Sequence, residues 1–220
     1  MKKFKIRYKR LIVFLFVFLL LCLICFKILN MKITNIYVNG NVYLTDYDVI
    51  EISKLQDYPR TFFTTTYSIK SKLESNLMIE SANVKKKGLT KVYINVTENR
   101  PLFYDEANKK TVLKNGDSVS SKYNVPILTS NISSSVYKKF LEKFSLIELS
   151  VFNSISEVSY KPNDVDKELF LFSMNDGNYV YVNLDKFESV NRYFEMSAKF
   201  NNHKGILYLD SGEYFKILDN

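Results

Sequence analysis

The sequence predicts an α+β protein with one N-terminal transmembrane helix, a compact β-α-α-β-β module and then a β-rich region with flanking helices. Three observations carry that prediction. Residues 11–26 are apolar without a break. Beyond residue 30, short apolar runs switch between period two, the signature of strands, and spacings of three and four, the signature of helices. Turn dipeptides such as Gly40-Asn41 and Asn115-Gly116 punctuate those runs.

The apolar run comes first. Lys27 interrupts it, but a lysine near a membrane surface can snorkel to the headgroups, and Ile28 and Leu29 extend the stretch to residues 11–29. As a helix those positions span roughly 28 Å, close to the hydrocarbon thickness of a bilayer. The exit, Cys25-Phe26-Lys27-Ile28-Leu29-Asn30, offers no small residues for a signal peptidase, so the segment reads as a retained anchor. Lys2, Lys3, Lys5, Arg7, Lys9 and Arg10 precede it with no acid among them, whereas only Lys27 and Lys32 flank its far end. The positive-inside rule then makes residues 1–10 a cytoplasmic tail and sends the C-terminal region out of the cytoplasm.

Charge excludes a nucleic-acid partner. The net +8 is concentrated before residue 30, because all 23 acids and 24 of the 31 bases lie after it. The outer region is therefore nearly neutral. Its one basic run, Lys85-Lys86-Lys87, reads as a solvated strand end. Both cysteines, Cys22 and Cys25, fall inside the apolar run and read as lipid-facing filler. The outer region has no cysteine, so its stability must come from apolar cores, and its length suits two modules.

In the first outer module, residues 30–99, Ile36 and Val38 alternate with polar neighbours. Thr45 followed by Asp46 and Asp48 predicts a helix start. A second helix should begin near Thr66 and carry Ile69, Leu73 and Leu77 on one face. Ala82 with Val84, then Val92 with Ile94 and Val96, predict a hairpin turning at Gly88. The second module, residues 100–220, starts with extended segments at 102–104, 111–113 and 126–128. Val136, Phe140, Phe144 and Ile147 predict a helix, and 155–160 a strand. Asn175-Asp176-Gly177-Asn178 predicts a hairpin turn. Asp185 and Glu188, spaced as a capping box, predict a helix with Phe187, Val190 and Phe194 on its apolar face. A final strand is expected over Gly205, Ile206, Leu207, Tyr208, Leu209 and Asp210, at a sheet edge.

The residue types that catalysis needs are scarce. His203, the only histidine, lies between Asn202 and Lys204 in a polar loop, and no nucleophile elbow, zinc motif or phosphate loop occurs. The acid pairs Asp105-Glu106 and Asp164-x-Asp166 suit turns. We therefore expect no enzyme activity, no cofactor, no metal and no small-molecule substrate. A membrane-anchored cell-wall enzyme or a sensor is the alternative, although ten inner residues leave no room for an output domain.

Taken in order, Ile36-Tyr37-Val38-Asn39-Gly40-Asn41 with Leu44, then residues 92–98 with Arg100-Pro101, resemble the opening and closing strands of a POTRA module. Leu113-Lys114-Asn115-Gly116, Pro126-Ile127-Leu128 and Leu209-Asp210-Ser211-Gly212-Glu213-Tyr214-Phe215 resemble segments of a β domain. Together with the anchor, they make the chain resemble the FtsQ/DivIB family of bacterial cell-division proteins. The Asp-Leu-Arg triplet common near the end of many members is absent, since Leu209-Asp210 continues into Ser211-Gly212. The resemblance implies a single-pass membrane protein at the division septum. It implies a scaffold for FtsB/DivIC-like and FtsL-like partners that helps regulate septal peptidoglycan synthesis. It marks Gly205 to Asp210, with Tyr214 and Phe215, as the candidate partner-binding residues.

Overall fold

The structure, a computed structural model, describes residues 8–200 and 203–218. Its element classes and order are those the sequence predicts: an apolar helix, a small α+β unit and a β-rich unit. Contacts divide the chain into Met1–Glu98 and Asn99–Asn220.

Helix α1 runs Tyr8–Leu29 and buries none of its side chains in the protein. It is the one candidate membrane span among the described residues, long and apolar enough to cross a bilayer. Lys9 and Arg10 lie in its first turn, while Lys2, Lys3, Lys5 and Arg7 fall outside the described residues. Cys22 and Cys25 are exposed on its surface, as filler requires.

The rest of the first unit is a three-stranded sheet in the order β1-β3-β2, formed by β1 (Asn35–Asn39), β2 (Ile79–Lys87) and β3 (Lys91–Glu98). Helices α2 (Asp46–Ile52) and α3 (Thr66–Glu74) contribute Val49, Ile69 and Leu73 to its core, against Ala82, Val92, Ile94 and Val96. The expected cap forms at Thr45: its hydroxyl accepts from the Asp48 amide at 3.2 Å, and the Asp48 carboxylate accepts from the Thr45 amide at 2.8 Å. The Thr45 hydroxyl also donates to the Asp48 carboxylate at 2.7 Å, and that bond, with the one from the Thr45 amide, holds the Asp48 pKa below the usual carboxylate value. Gly40, at φ +85°, is required where β1 turns away, because a Cβ there would lie 2.2 Å from the Val96 carbonyl oxygen. The Glu98 carboxylate gathers the next three amides, Val42, Tyr43 and Leu44, at 2.8–2.9 Å.

Two expectations fail here. Leu77 is 47 % exposed, because α3 stops at Glu74 and the Ser75 hydroxyl caps the Lys72 carbonyl at 2.7 Å. Lys86 is not a solvated strand end: it is half-buried and donates to the carbonyls of Thr61, at 2.6 Å, and Thr64. Burial lowers its pKa.

The second unit is built on a nine-stranded sheet. The strands are β4 (Pro101–Asp105), β5 (Lys110–Leu113), β6 (Ser118–Val119), β7 (Ile127–Leu128), β8 (Ile155–Tyr160), β9 (Leu169–Met174), β10 (Tyr179–Asn183), β11 (Gly205–Tyr208) and β12 (Tyr214–Ile217). Their spatial order is β12-β11-β10-β9-β8-β7-β4-β5-β6. Helix α4 (Ser134–Phe144) packs Val136, Phe140 and Phe144 against this sheet, with α5 (Leu149–Phe152) after it. The core is aromatic: Phe140 stacks on Phe170 at 4.8 Å between centroids, and Phe144 meets Phe172 edge-on at 5.8 Å.

The capping box expected at Asp185 does not form. Residues Leu184–Arg192 make a 3₁₀ helix, in which Leu184, Phe187 and Val190 recur every third residue and are all buried. Asp185 and Glu188 instead pair with Lys139 at 3.0 Å and Lys143 at 3.5 Å, both on α4. The short helix α6 (Tyr193–Ser197) follows, and Phe194 is half exposed rather than on the core face.

Candidate functional site

The predicted last strand is real but is neither last nor at an edge. β11 covers Gly205 to Tyr208 and is paired on both sides, parallel with β10 and antiparallel with β12. Leu209 and Asp210 lie just past it, where the Leu209 amide donates to the Tyr181 carbonyl at 2.7 Å and the Asp210 carbonyl accepts from Lys186 Nζ at 3.0 Å. Residues 209–215, which resemble one segment of the family's β domain, divide into the exit of β11, a turn and the start of β12. Asp210, Ser211 and Gly212 favour the turn over continued pairing. The edge role assigned to Gly205–Tyr208 is thereby corrected: the open edge belongs to β12.

Register places the side chains. Val180, Leu207 and Phe215 stand in one row on the core face, and Tyr181, Tyr208 and Tyr214 in one row on the other. The three tyrosines stack, with centroids 5.4 Å and then 4.6 Å apart, and the ladder ends at Tyr214, which is 50 % exposed. Phe215 lies face to face with Phe200 at 3.7 Å. Gly205 and Leu207 are buried, and Ile206 half-buried. The candidates Ile206 and Tyr208 thus face away from the core, whereas Gly205, Leu207 and Leu209 serve packing.

Backbone polarity at the edge follows from the same register. The Leu218 amide donates to the Lys204 carbonyl at 3.0 Å, so hydrogen-bonded pairs alternate from that position along the ladder. Lys216 and Tyr214 then bond to β11, leaving the amides and carbonyls of Phe215 and Ile217 directed outward. Lys216 and Ile217 are functional candidates that sequence reasoning missed. Their signal was the alternation in Tyr214-Phe215-Lys216-Ile217 immediately after a glycine-containing turn.

Two features fix the edge. At Gly205, a Cβ would approach the Lys216 carbonyl oxygen to 2.2 Å and the Phe215 ring to 2.6 Å, so only glycine lets β12 lie this close. Asn178, almost wholly buried, accepts from the Gly205 amide at 3.0 Å and donates to both Asp176 and the Tyr193 hydroxyl at 3.0 Å. The Tyr193 hydroxyl donates to Asp176 at 2.7 Å. Burial raises the Tyr193 pKa, reinforced by the carboxylate it bonds. Burial also pushes the Asp176 pKa upward, but the donors from Tyr193 and Asn178, with Lys204 nearby, outweigh it and the net shift is downward.

Beside β12, a recess of about 250 Å³ opens between Met196, Phe200, Leu207, Tyr214 and Phe215, with Arg192 and Glu213 paired at 3.1 Å on its rim. It can take an apolar side chain but holds no nucleophile and base. A larger open hollow in the first unit, about 480 Å³, is lined by acids, Asp48 and Glu51, and by cations, Lys54 and Lys72, alike. Among the described residues, no three His, Cys, Asp or Glu side chains are grouped to hold a metal. His203 is exposed in its loop.

Residues 31–99 match the model of the FtsQ-type POTRA domain. Over 98 % of its length the chain is 29 % identical to cell division protein DivIB of Listeria monocytogenes, covering 83 % of that protein. It is 24 % identical to the protein of the same name from Bacillus subtilis, over 94 % of this chain and 83 % of that one. Among solved structures, the major extracytoplasmic domain of the trans isomer of DivIB from Geobacillus stearothermophilus matches 46 % of this chain and 93 % of its own. That match has 20 % identity and a TM-score of 0.39.

Proposed function

We propose, from the premise that the chain belongs to the FtsQ/DivIB family of bacterial cell-division proteins, that it is a non-catalytic scaffold anchored by α1. Its residues 30–99 and 100–220 act outside the cytoplasm, and the N-terminal cations hold the tail inside. The β-rich unit captures a partner strand along β12. The partners are FtsB/DivIC-like and FtsL-like single-span proteins, gathered at the septum so that peptidoglycan synthesis there is regulated.

One observation carries this reading: a nine-stranded sheet ends in a four-residue strand whose backbone groups at Phe215 and Ile217 point away from β11 and whose Tyr214 and Ile217 side chains are half exposed. The opposite edge strand, β6, has only two residues. Strand addition supplies main-chain hydrogen bonds, and the adjoining recess supplies selectivity for an apolar side chain.

Ile217→Pro is the direct test. Proline removes an outward donor and blocks the edge while leaving the β11–β12 ladder its bonds. Copurification of the partners from membranes should be lost with Ile217→Pro and only weakened with Ile217→Ala. Retention by a folded Ile217→Pro variant would refute the β12 model. Tyr208→Pro is unsuitable, because Tyr208 lies in an interior strand and its loss would disrupt the sheet itself.

A further inference from the structure

We propose that the anchor-proximal end of the first unit is a second membrane contact, in which Phe62 and Phe63 enter the headgroup layer and the surrounding lysines and arginine bind anionic phospholipid. The proposal rests on the reading that α1 spans the bilayer.

The placement comes from backbone hydrogen bonds. Met31 is the second residue after the end of α1, so it lies within about 7 Å of chain from the helix end. The headgroup layer on each side of a bilayer is itself about 5–7 Å thick. Two further segments are bonded directly at this level. The Thr61 amide donates to the Met31 carbonyl at 2.8 Å, the Ile33 amide to Pro59 at 3.0 Å, and the Thr34 amide to Thr90, in the β2–β3 turn, at 2.8 Å. The loop after Pro59 and the tip of the hairpin are thus held beside the point where the chain leaves α1.

What these segments display suits an anionic membrane surface. Phe62 and Phe63 are 62 % and 67 % exposed, with rings 5.5 Å apart edge-on, and Leu89 at the hairpin tip is also exposed. These segments and the strand ends that join at the hairpin tip carry Lys32, Arg60, Lys85, Lys86, Lys87 and Lys91, with Lys86 on the sheet face of the loop and Lys85, Lys87 and Lys91 on the other. No acid occurs in residues 31–34, 58–66 or 85–91. Asp57 is the nearest acid in sequence. The opposite end of the unit, one strand-length away, carries Asp46, Asp48 and Glu98 instead. Adjacent exposed phenylalanines are costly in water, and each cation near an anionic surface adds to binding. Lys86 has a distinct part: its ammonium clamps the carbonyls on either side of the two phenylalanines, at Thr61 and Thr64, which fixes the loop's projection.

The chain has no tryptophan, so a single introduced indole reports its own surroundings. The full chain is placed in nanodiscs of phosphatidylcholine, with and without phosphatidylglycerol, using brominated acyl chains as quencher. Leu20→Trp marks the bilayer interior, Phe63→Trp the loop, and Tyr47→Trp the first turn of α2 at the far end. In phosphatidylglycerol discs the indole of the Phe63→Trp variant should be quenched several-fold more than that of the Tyr47→Trp variant. That quenching should fall on adding salt and in a background of Lys85→Gln, Lys87→Gln and Lys91→Gln. An unquenched loop indole, beside strong quenching in the Leu20→Trp variant, would overturn the proposal while leaving the anchor intact. Equal quenching of the loop indole with and without phosphatidylglycerol would overturn the anionic-lipid assignment, as would tighter binding of a soluble polyglycerol phosphate with no quenching. Absence of quenching in the Leu20→Trp variant would overturn the anchor reading and the proposal with it.

Discussion

Replacing Gly205 by alanine tests how the edge is built. The added Cβ would meet the Lys216 carbonyl oxygen at 2.2 Å and two atoms of the Phe215 ring at 2.6 Å and 2.9 Å. The ring could rotate only by abandoning its stack on Phe200, and the carbonyl belongs to the ladder, so the strain falls on the docking of β12. Overpacking of this kind costs about 1–3 kcal/mol. Little else holds β12, whose side chains are mostly exposed, so undocking the strand should relieve the strain. A shift of that size lowers the docking equilibrium constant about 5- to 150-fold, and partner affinity falls in proportion to the docked fraction, by at most that factor. The readouts are the partner's dissociation constant for the full chain in detergent or nanodiscs, and hydrogen exchange resolved over 205–218. Exchange should quicken at 214–218 and stay near wild type in β8 to β10, with the thermal midpoint of the unit lowered by only a few degrees. Unchanged exchange at 214–218 would refute the packing argument. Faster exchange there with unchanged affinity would refute the edge-strand mechanism.

Other perturbations read other parts of the molecule. Tyr193→Phe removes a hydroxyl that bonds both Asp176 and Asn178, so the β-rich unit should lose about 1.5–3 kcal/mol in denaturant unfolding. The Asp176 pKa is lowered in the fold, so its contribution is complete well above the ordinary value of 3.8 and is lost as pH falls below it. Asp176→Asn should accordingly flatten the acid limb of a melting-temperature profile below about pH 4. Glu98→Ala strands the amides of Val42, Tyr43 and Leu44, and hydrogen exchange at 40–45 should accelerate at least tenfold. Limited trypsin digestion should first cut at Lys167, two residues from Val165, which is 98 % exposed, because the Lys161-Pro162 bond resists trypsin. The segment near residue 100 should resist, because Pro101 to Phe103 are buried in β4.

The sequence by itself determined the elements governed by local chemistry. Sixteen uninterrupted apolar residues can only be a buried or membrane helix; Thr45 and Asp48 carry their cap in their spacing; Gly177 and Gly116 supply the positive φ their turns need, at +86° and +89°. The strand 91–98 was legible because one face is buried and alternation is strict, and 155–160 because its apolar and β-branched residues outlast a bulge after Ile155. Tertiary structure alone decided what depends on distant partners. Asp185 and Glu188 have the spacing of a capping box, but the lysines of α4 compete for them and a period of three fits the packed face, so a 3₁₀ helix prevails. Lys86 looked solvated within a basic run, and only the fold brings two carbonyls to its ammonium. Which strand forms the edge was likewise not local information. Residues 205–208 and 214–217 have similar strand patterns, and their order in the sheet is set by the close approach of Phe215 to Gly205 and by the bond from Gly205 to Asn178, 27 residues away in the chain.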